Sequence, residues 1–526
     1  INLSSVPTDT TFPLISYGTG TETDGVNITR NNIYVNVSVT ETNENTITFR
    51  LHNSTSQYNV TSYTGGAVRT INWTGLADAT YTFNVTVNDT AGNSNTTATR
   101  TVNVDRTNPS VSFANPTPAN GSSQANNNIF VNVSSSDTNG HYAFIDFDKS
   151  LVMFMQMDSL NSTGSPIDNS SYGNNGSLVG GASIVESSIF GEGAELDGVN
   201  DYIDVPDLIG DVNPNIGTMS FWVLQDNSDG NQCVFCIGDG NAYIRMQDQG
   251  FMQFRYSNST TDDSAGIDFS SYVGKWTHLA GLWNETSVII YVNGAFGSQV
   301  ARTSSNITSA QLTNARIGSR EDLGIYFNGT INEVLFFNRT LTPTEISALY
   351  NAGTTQAQNN FTGLSSSSHT FKGYAVDMAG NTNSTETRTV TIDRTNPLIS
   401  YGTGTENDTA NVTQSNVYVN VTVTETNFAN ITYLLRNDTS TVNETTYTTL
   451  VLTINWTGLA LRNYTYNVSV RDSANNFNST ATRRINLSSV PTDTTFPLIS
   501  YGVGTETDGI NISRNNIYVN VSITET

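Results

Sequence analysis

The chain reads as all-β: a row of antiparallel two-sheet sandwiches, one of which carries a second, larger β domain as an insertion. Three observations predict this. Apolar and polar residues alternate with period two, as in Ile33-Tyr34-Val35-Asn36-Val37-Ser38-Val39, where Ile and Val share one face and Tyr, Asn and Ser the other. The text recurs along the chain, and residues 1–42 return at 485–526 with four mild differences (Thr19 against Val503, Val26 against Ile510, Thr29 against Ser513, Val39 against Ile523). One repeat is longer than the others by about 190 residues, the size of a domain.

The spacing between Pro13, Pro109, Pro397 and Pro497 is about 96, 288 and 100 residues, together about 484. Two of these are one sandwich long. The long one splits: Ile129-Phe130-Val131-Asn132-Val133-Ser134 matches Ile33 to Ser38, and Asn360-Phe361-Thr362-Gly363-Leu364 matches Asn72-Trp73-Thr74-Gly75-Leu76. A domain is therefore expected inside the second sandwich, in a loop near its third strand, where a guest with close termini is tolerated. Tyr81-Thr82-Phe83-Asn84-Val85-Thr86-Val87 and Tyr464-Thr465-Tyr466-Asn467-Val468-Ser469-Val470 alternate in the same way. His369 stands where Tyr81 and Tyr464 stand and reads as a packing variant. Turns follow at Asp89-Thr90-Ala91-Gly92-Asn93, Asp377-Met378-Ala379-Gly380-Asn381 and Asp472-Ser473-Ala474-Asn475-Asn476, with Gly or Asn for a positive φ and Asp to accept from backbone amides. On these motifs the chain resembles the immunoglobulin-like repeats of archaeal and bacterial surface proteins over roughly 60% of its length.

From about Ser150 the texture changes to short strands divided by Gly and Asn. Phe190-Gly191-Glu192-Gly193-Ala194-Glu195-Leu196-Asp197-Gly198, Met219-Ser220-Phe221-Trp222-Val223, Lys275-Trp276-Thr277-His278-Leu279-Ala280, Ile289-Ile290-Tyr291-Val292-Asn293-Gly294 and Phe327-Asn328-Gly329-Thr330-Ile331-Asn332-Glu333-Val334 follow in order. In order and spacing this insert is similar to the laminin-G, concanavalin A-like jelly-roll family. Asn293-Gly294 predicts a type I′ hairpin, and Thr342-Pro343 a capped closing helix. Trp222 and Trp276 are expected in the core between two stacked sheets.

The resulting division is 1–10, the last strand of a preceding sandwich; 11–106, the first immunoglobulin-like domain; 107–145 and 357–394, the two parts of the second; 146–356, the inserted jelly roll; 395–494, the third; and 495–526, the first strands of a further one. The expectation is one period, plus overlap, of a longer array.

Composition narrows the function. A net charge of −24 with 22 Lys+Arg excludes a nucleic-acid or anionic-membrane surface, and no apolar run reaches the length of a membrane-spanning helix. Charged residues are only 13%, so Ser, Thr and Asn must supply the wet surface. No Ser-His-Asp set or zinc-type cluster stands among the four His, and the carboxylates Glu321, Asp322 and Glu333 lack the paired spacing of a jelly-roll glycosidase, so no enzyme activity is expected. Cys233 and Cys236 read as two buried thiols, because strand positions i and i+3 face opposite ways.

The jelly-roll resemblance implies calcium as a cofactor of some members, held by Asp and backbone oxygens; Asp168, Asp197, Asp201 and Asp204 are the candidates, beside a reading as turn-forming acids. The family's Gly-x-Ile-Asp-Glu closing motif has Asn332 for its Asp, which removes one carboxylate. Phe251, Phe254 and Tyr256 could stack on a sugar, although their spacing suits a core equally. About 34 Asn-x-Ser/Thr sequons occur where about 16 are expected from composition. Glycosylation is expected at Asn27, Asn36, Asn53, Asn72, Asn84, Asn88, Asn132, Asn161, Asn258, Asn284, Asn328, Asn338, Asn411, Asn420, Asn430, Asn455, Asn467, Asn511 and Asn520. Those on strands, Asn36, Asn84, Asn132, Asn420, Asn467 and Asn520, fall on the polar phase and are expected to face water. The expected role is a glycosylated extracellular stalk, sheath or filament at the cell surface, with neighbouring copies of itself as partners. The alternatives are an adhesin whose jelly roll binds carbohydrate or protein, and a non-catalytic part of a secreted glycan-active enzyme.

Overall fold

A computed structural model describes residues 9–53, 57–186, 189–227, 231–320, 322–353, 355–489 and 493–525. The expected closing strand at 1–10 lies almost wholly outside these residues, as do Glu321 and the Ser54 and Thr55 of the Asn53 sequon. The chain divides into two compact units, Ile1–Ile392 and Asp393–Thr526.

In the first unit, period-two segments build the first sandwich as predicted. A three-stranded sheet runs Leu14–Tyr17, Asn32–Thr40, Thr70–Thr74. It faces a six-stranded sheet ordered Val26–Ile28, Arg100–Val104, Ala79–Asp89, Glu44–Asn53, Gln57–Thr64, with Ser94–Thr96 paired to Ala79–Asp89. Val35, Phe49, Phe83, Val85 and Trp73 fill the space between. The third sandwich, in the second unit, repeats this plan strand for strand. After it, Leu498–Tyr501 and Val521–Thr524 pair as a two-stranded ribbon whose Ile499, Tyr501 and Ile523 are exposed.

The second sandwich shows where the guest enters. His141–Phe147 pairs with Ser368–Asp377 as Glu44–Asn53 pairs with Ala79–Asp89. In the first sandwich the chain then turns back as Gln57–Thr64; in the second it runs into the jelly roll and returns as Gln356–Phe361, the counterpart of Thr70–Thr74. The insertion thus stands where a hairpin strand would be. His141–Phe147 extends two residues past the expected boundary, and each of its residues is buried.

The jelly roll stacks an eight-stranded sheet on a seven-stranded one. Phe221, Val223, Phe235, Met246, Phe254, Tyr256, Trp283 and Phe336 close the space between them. Asn293 and Gly294 both have positive φ, the I′ turn the sequence predicts. The closing helix Pro343–Tyr350 starts at Thr342 with a complete capping box to Glu345.

Trp222 is buried, but on the other side of its sheet from the expected place, because Met219, Phe221 and Val223 take the inward phase of Gly217–Gln225. It joins a second core, in which the outer face of the eight-stranded sheet (Trp222, Leu282, Tyr291, Leu335, Phe337) meets Tyr142, Phe144, Tyr374 and Val376 of the host and Ile346 and Leu349 of the closing helix. Phe144 stacks on Tyr374 at 5.1 Å. Trp276 is half-buried at the margin of this core, and Trp283 is the ring between the sheets.

Candidate functional site

With one outer face of the jelly roll sealed by its host, a ligand has the outer face of the seven-stranded sheet, where Asn231–Gly238 and Tyr243–Gln249 are buried on both sides and Met252–Ser257 and Asp262–Ile267 carry the partly exposed residues. The registers of this sheet line up a single row across six strands: Asp204 beside Arg316, Arg316 beside Cys236, Cys236 beside Arg245, Arg245 beside Arg255, Arg255 beside Ser264. Like charges directly opposite on a ladder are destabilising, so two arginines in register on an acidic chain call for local compensation. The guanidinium of Arg245 lies 3.6 Å from the centre of the Tyr243 ring, and Arg316 lies 5.2 Å from that of Tyr202. Arg255 pairs with Asp262 and donates to Gln249 Oε1 at 3.0 Å, while Tyr243 donates to Asp262 at 3.0 Å. Burial pushes the Tyr243 hydroxyl above its usual range. Gln247 Oε1 and Ser264 Oγ are buried on this sheet without a hydrogen-bond partner. Ile325, from the loop after Ala315–Ile317, packs on Cys233 and Cys236 and roofs part of the face; Gln253 and Arg255 remain half-buried and Asp262 exposed.

Cys233 and Cys236 are joined in a disulfide, contrary to the reading as free thiols. The reason is a bulge: Cys233 pairs with Gln247 and Phe235 with Met246, so Val234 is an extra residue that reverses the parity. Both sulfurs then point to one face.

The four aspartates expected for calcium are not gathered into one cluster. Asp168 spends both oxygens on Phe154, Ser170, Gly173 and Asn174 amides and the Ser170 hydroxyl. Asp197 accepts from Val199 and Asn200; Asp201 from Gly181 and Asp197; Asp204 sits 3.5 Å from Arg316. Among the described residues, three acidic ligand atoms come within 4.8 Å of one another in two other places: Asp105, Asp137 and Asp377 where the chain enters the second sandwich, and Asp393, Glu425 and Asp472 where it enters the third. In the sequence Asp377 and Asp472 read only as turn residues; their repeated position beside the incoming linker is the available signal.

Where jelly roll meets host, Glu333 is 1% exposed and accepts from the Tyr142 hydroxyl, while its Oε1 has no hydrogen-bond partner. Burial pushes its carboxyl up to about 8. Asp158 accepts from the Glu192 amide at 2.9 Å and is raised well above the usual range by burial and then by Glu333. Burial, and after it the charge of Asp105, raises Asp377 to about 7. Such groups belong to a sealed joint: the same burial that protonates Glu333 keeps a substrate from it.

Phe254 and Tyr256 are core residues, whereas Phe251 is exposed beside the Gly250 turn. His369 is buried against Phe147 and meets Asp148 at 2.7 Å. The strand sequons do not all face water. Nδ2 of Asn36, Asn132, Asn420 and Asn520 donates to the carbonyl of Thr19, Asn115, Thr403 and Val503, at 2.9–3.1 Å. Gly18, Gly402 and Gly502 lie so close to three of these amides that a Cβ would stand 2.7–2.9 Å away. Asn27 and Asn258 are buried, Asn84 donates to Thr99, and Asn338 donates to the Asp211 carbonyl. Asn161 and Asn284 close local turns with the Thr of their own sequons. Asn88, Asn328, Asn430 and Asn467 are half-buried, and Asn72, Asn411, Asn455 and Asn511 are exposed.

Comparison with known proteins agrees with this architecture. Residues 197–347 match the family described as the concanavalin A-like lectin/glucanases superfamily. Residues 19–106 and 338–394 match the bacterial Ig-like domain family. The chain is therefore an all-β protein of bacterial Ig-like domains with a concanavalin A-like jelly roll set into one of them. The chain has no match among curated protein sequences. Solved structures similar to it include a domain of an extracellular arabinanase from Geobacillus stearothermophilus in complex with arabinotriose (21% identity, 40% of this chain and 100% of that one, TM-score 0.32). Others are the CBM40 domain of the Ruminococcus gnavus IT-sialidase bound to sialyllactose (14%, 30% and 96%, 0.28) and the botulinum neurotoxin serotype D binding domain (16%, 39% and 52%, 0.32).

Proposed function

We propose that this is an extracellular cell-surface protein whose Ig-like repeats hold out a carbohydrate-binding jelly roll, with the repeats serving as a stalk, sheath or filament and neighbouring copies as partners. One observation carries the binding reading: the row Arg316, Arg245, Arg255 on the sheet face turned away from the host, in which Arg245 is buried and the half-buried Arg255 and Arg316 are the members a ligand can reach. Guanidinium groups donate in a fixed fork to sugar oxygens and pair best with carboxylates, so acidic saccharides are the favoured ligands. The match to a lectin-like family supports the same class. The reading is non-catalytic and needs no metal; the sealed position of Glu333 supports the first part.

The test is a glycan array probed with the full chain and with Arg255→Ala. Binding to carboxylated glycans that falls at least tenfold in the variant, with an unchanged melting temperature, supports the proposal. No saccharide binding, or binding indifferent to Arg255, overturns it. Beaded fibres of regular axial repeat in electron micrographs of native material would support the filament role, and unassembled single chains would contradict it.

A further inference from the structure

The many sequons of the sandwiches fall into structural classes that recur in each repeat. In one class, Asn36, Asn132 and Asn420 spend Nδ2 on a backbone carbonyl. Their main chains are clamped too, by the hydroxyls of Thr21, Thr117 and Thr405, each of which donates to the Asn carbonyl and accepts from the Asn amide. In a second class both ends of the sequon are consumed. Asn95, Asn383 and Asn478 donate Nδ2 to the carbonyls of Pro13, Pro109 and Pro397. The hydroxyl-bearing Thr97, Thr385 and Thr480 are buried and accept from the amides of Val85, Gly373 and Val468. These sequons are explained as structure.

A third class is presented. Asn72-Trp73-Thr74, Asn360-Phe361-Thr362 and Asn455-Trp456-Thr457 lie at the end of the strand that forms one edge of the three-stranded sheet in each sandwich. In each, the aromatic residue is buried while the flanking Asn and Thr are exposed. Cross-strand Asn32, Asn128 and Asn416 donate Nδ2 to Oδ1 of Asn72, Asn360 and Asn455, at 3.0–3.1 Å. That bond holds each carboxamide by its oxygen and leaves its nitrogen turned to solvent. The arrangement recurs in all three sandwiches although the middle one is interrupted by the guest between the two strands concerned.

We propose that Asn72, Asn360 and Asn455 are a repeated N-glycan attachment set, one site per sandwich, and that the Asn36 and Asn95 classes are not substrates in the folded chain. The reaction takes an oligosaccharide activated on a lipid phosphate. Nδ2 forms a bond to C1 of the sugar, the bond from C1 to the phosphate oxygen breaks and its electron pair leaves with the lipid phosphate, and the amide gives up one proton. Glycans at these positions stand on open sheet edges, where bulk and hydration block pairing with another chain. The inference adds to the surface-display reading but is tested apart from it, since a chain that is not modified could still bind saccharide.

The experiment is glycosylation of the purified, folded full chain by an oligosaccharyltransferase with lipid-linked oligosaccharide, with occupancy read peptide by peptide by mass spectrometry. A parallel reaction uses the chain unfolded in mild denaturant. The expected result is at least tenfold higher occupancy at Asn72, Asn360 and Asn455 than at Asn36, Asn132, Asn420, Asn95, Asn383 and Asn478 in the folded chain, with that preference lost on unfolding. Equal occupancy in the folded chain overturns the inference. So does a preference that persists when unfolded, which would assign the selection to local sequence, and so does an unmodified Asn72 set beside modified members of the other classes.

Discussion

The sandwiches and the jelly roll solve one problem in different ways. The first and third sandwiches each have a single core made from one face of each sheet, and their outer faces are wet: Asn32–Thr40 alternates buried and half-buried or exposed residues nearly to its end. In the jelly roll, Gly217–Gln225 and Thr277–Trp283 are buried on both faces along almost their whole length. The guest therefore has two cores, and the second is completed only by the host's His141–Phe147 and Ser368–Asp377. A guest on a flexible tether would need neither Phe144 nor Tyr374. The difference teaches that host and guest share a core and form one cooperative body, and that the sheet face turned away from the host carries the arginines.

Substitutions can sharpen this contrast. Trp283→Ala, which empties the space between the jelly-roll sheets and removes the bond from Nε1 to the Pro214 carbonyl, should cost about 3–5 kcal/mol in chemical unfolding of the first unit. Glu333→Gln probes the joint. A carboxyl raised in the folded state from about 4.5 to about 8 contributes stability that is complete below pH 4.5 and is lost as pH climbs through 8. Its replacement should remove that slope and raise stability at pH 8 by about 2 kcal/mol or more. Replacing both cysteines by Ser opens a short loop and should cost about 2 kcal/mol in the shared unfolding step of the jelly roll and its host. Thr21→Val in the first sandwich strands the amide of Asn36, whose carbonyl still accepts from the Gly18 amide, and should cost about 1–2 kcal/mol without altering the melting of the jelly roll.

Much of this plan is legible in the residues, for reasons that differ by element. Period two and internal repetition suffice for the sandwiches, because each strand has one dry face. The Asn293-Gly294 turn and the Thr342-Pro343 cap are local chemistry and read directly. Trp222 was harder: a strand buried on both sides has no wet phase to orient it, so the sequence could not say which core it enters. Cys233 and Cys236 turned on the bulge at Val234, which depends on the partner strand and leaves no local mark. The strand sequons misled because an Asn on the polar phase can be bound by its own sheet, as Asn36 is by Thr19. The arginine row needs the register of six strands, which no single segment encodes.

The central claim is that the second sandwich and the jelly roll share a core. Native-state hydrogen exchange with rising denaturant measures it most directly. Amides of His141–Phe147 and Ser368–Asp377 should open with the same free energy as those of Gly217–Gln225 and Thr277–Trp283, in one shared unfolding step. Exchange of the host strands at a clearly lower free energy, with the jelly roll still protected, would contradict the account.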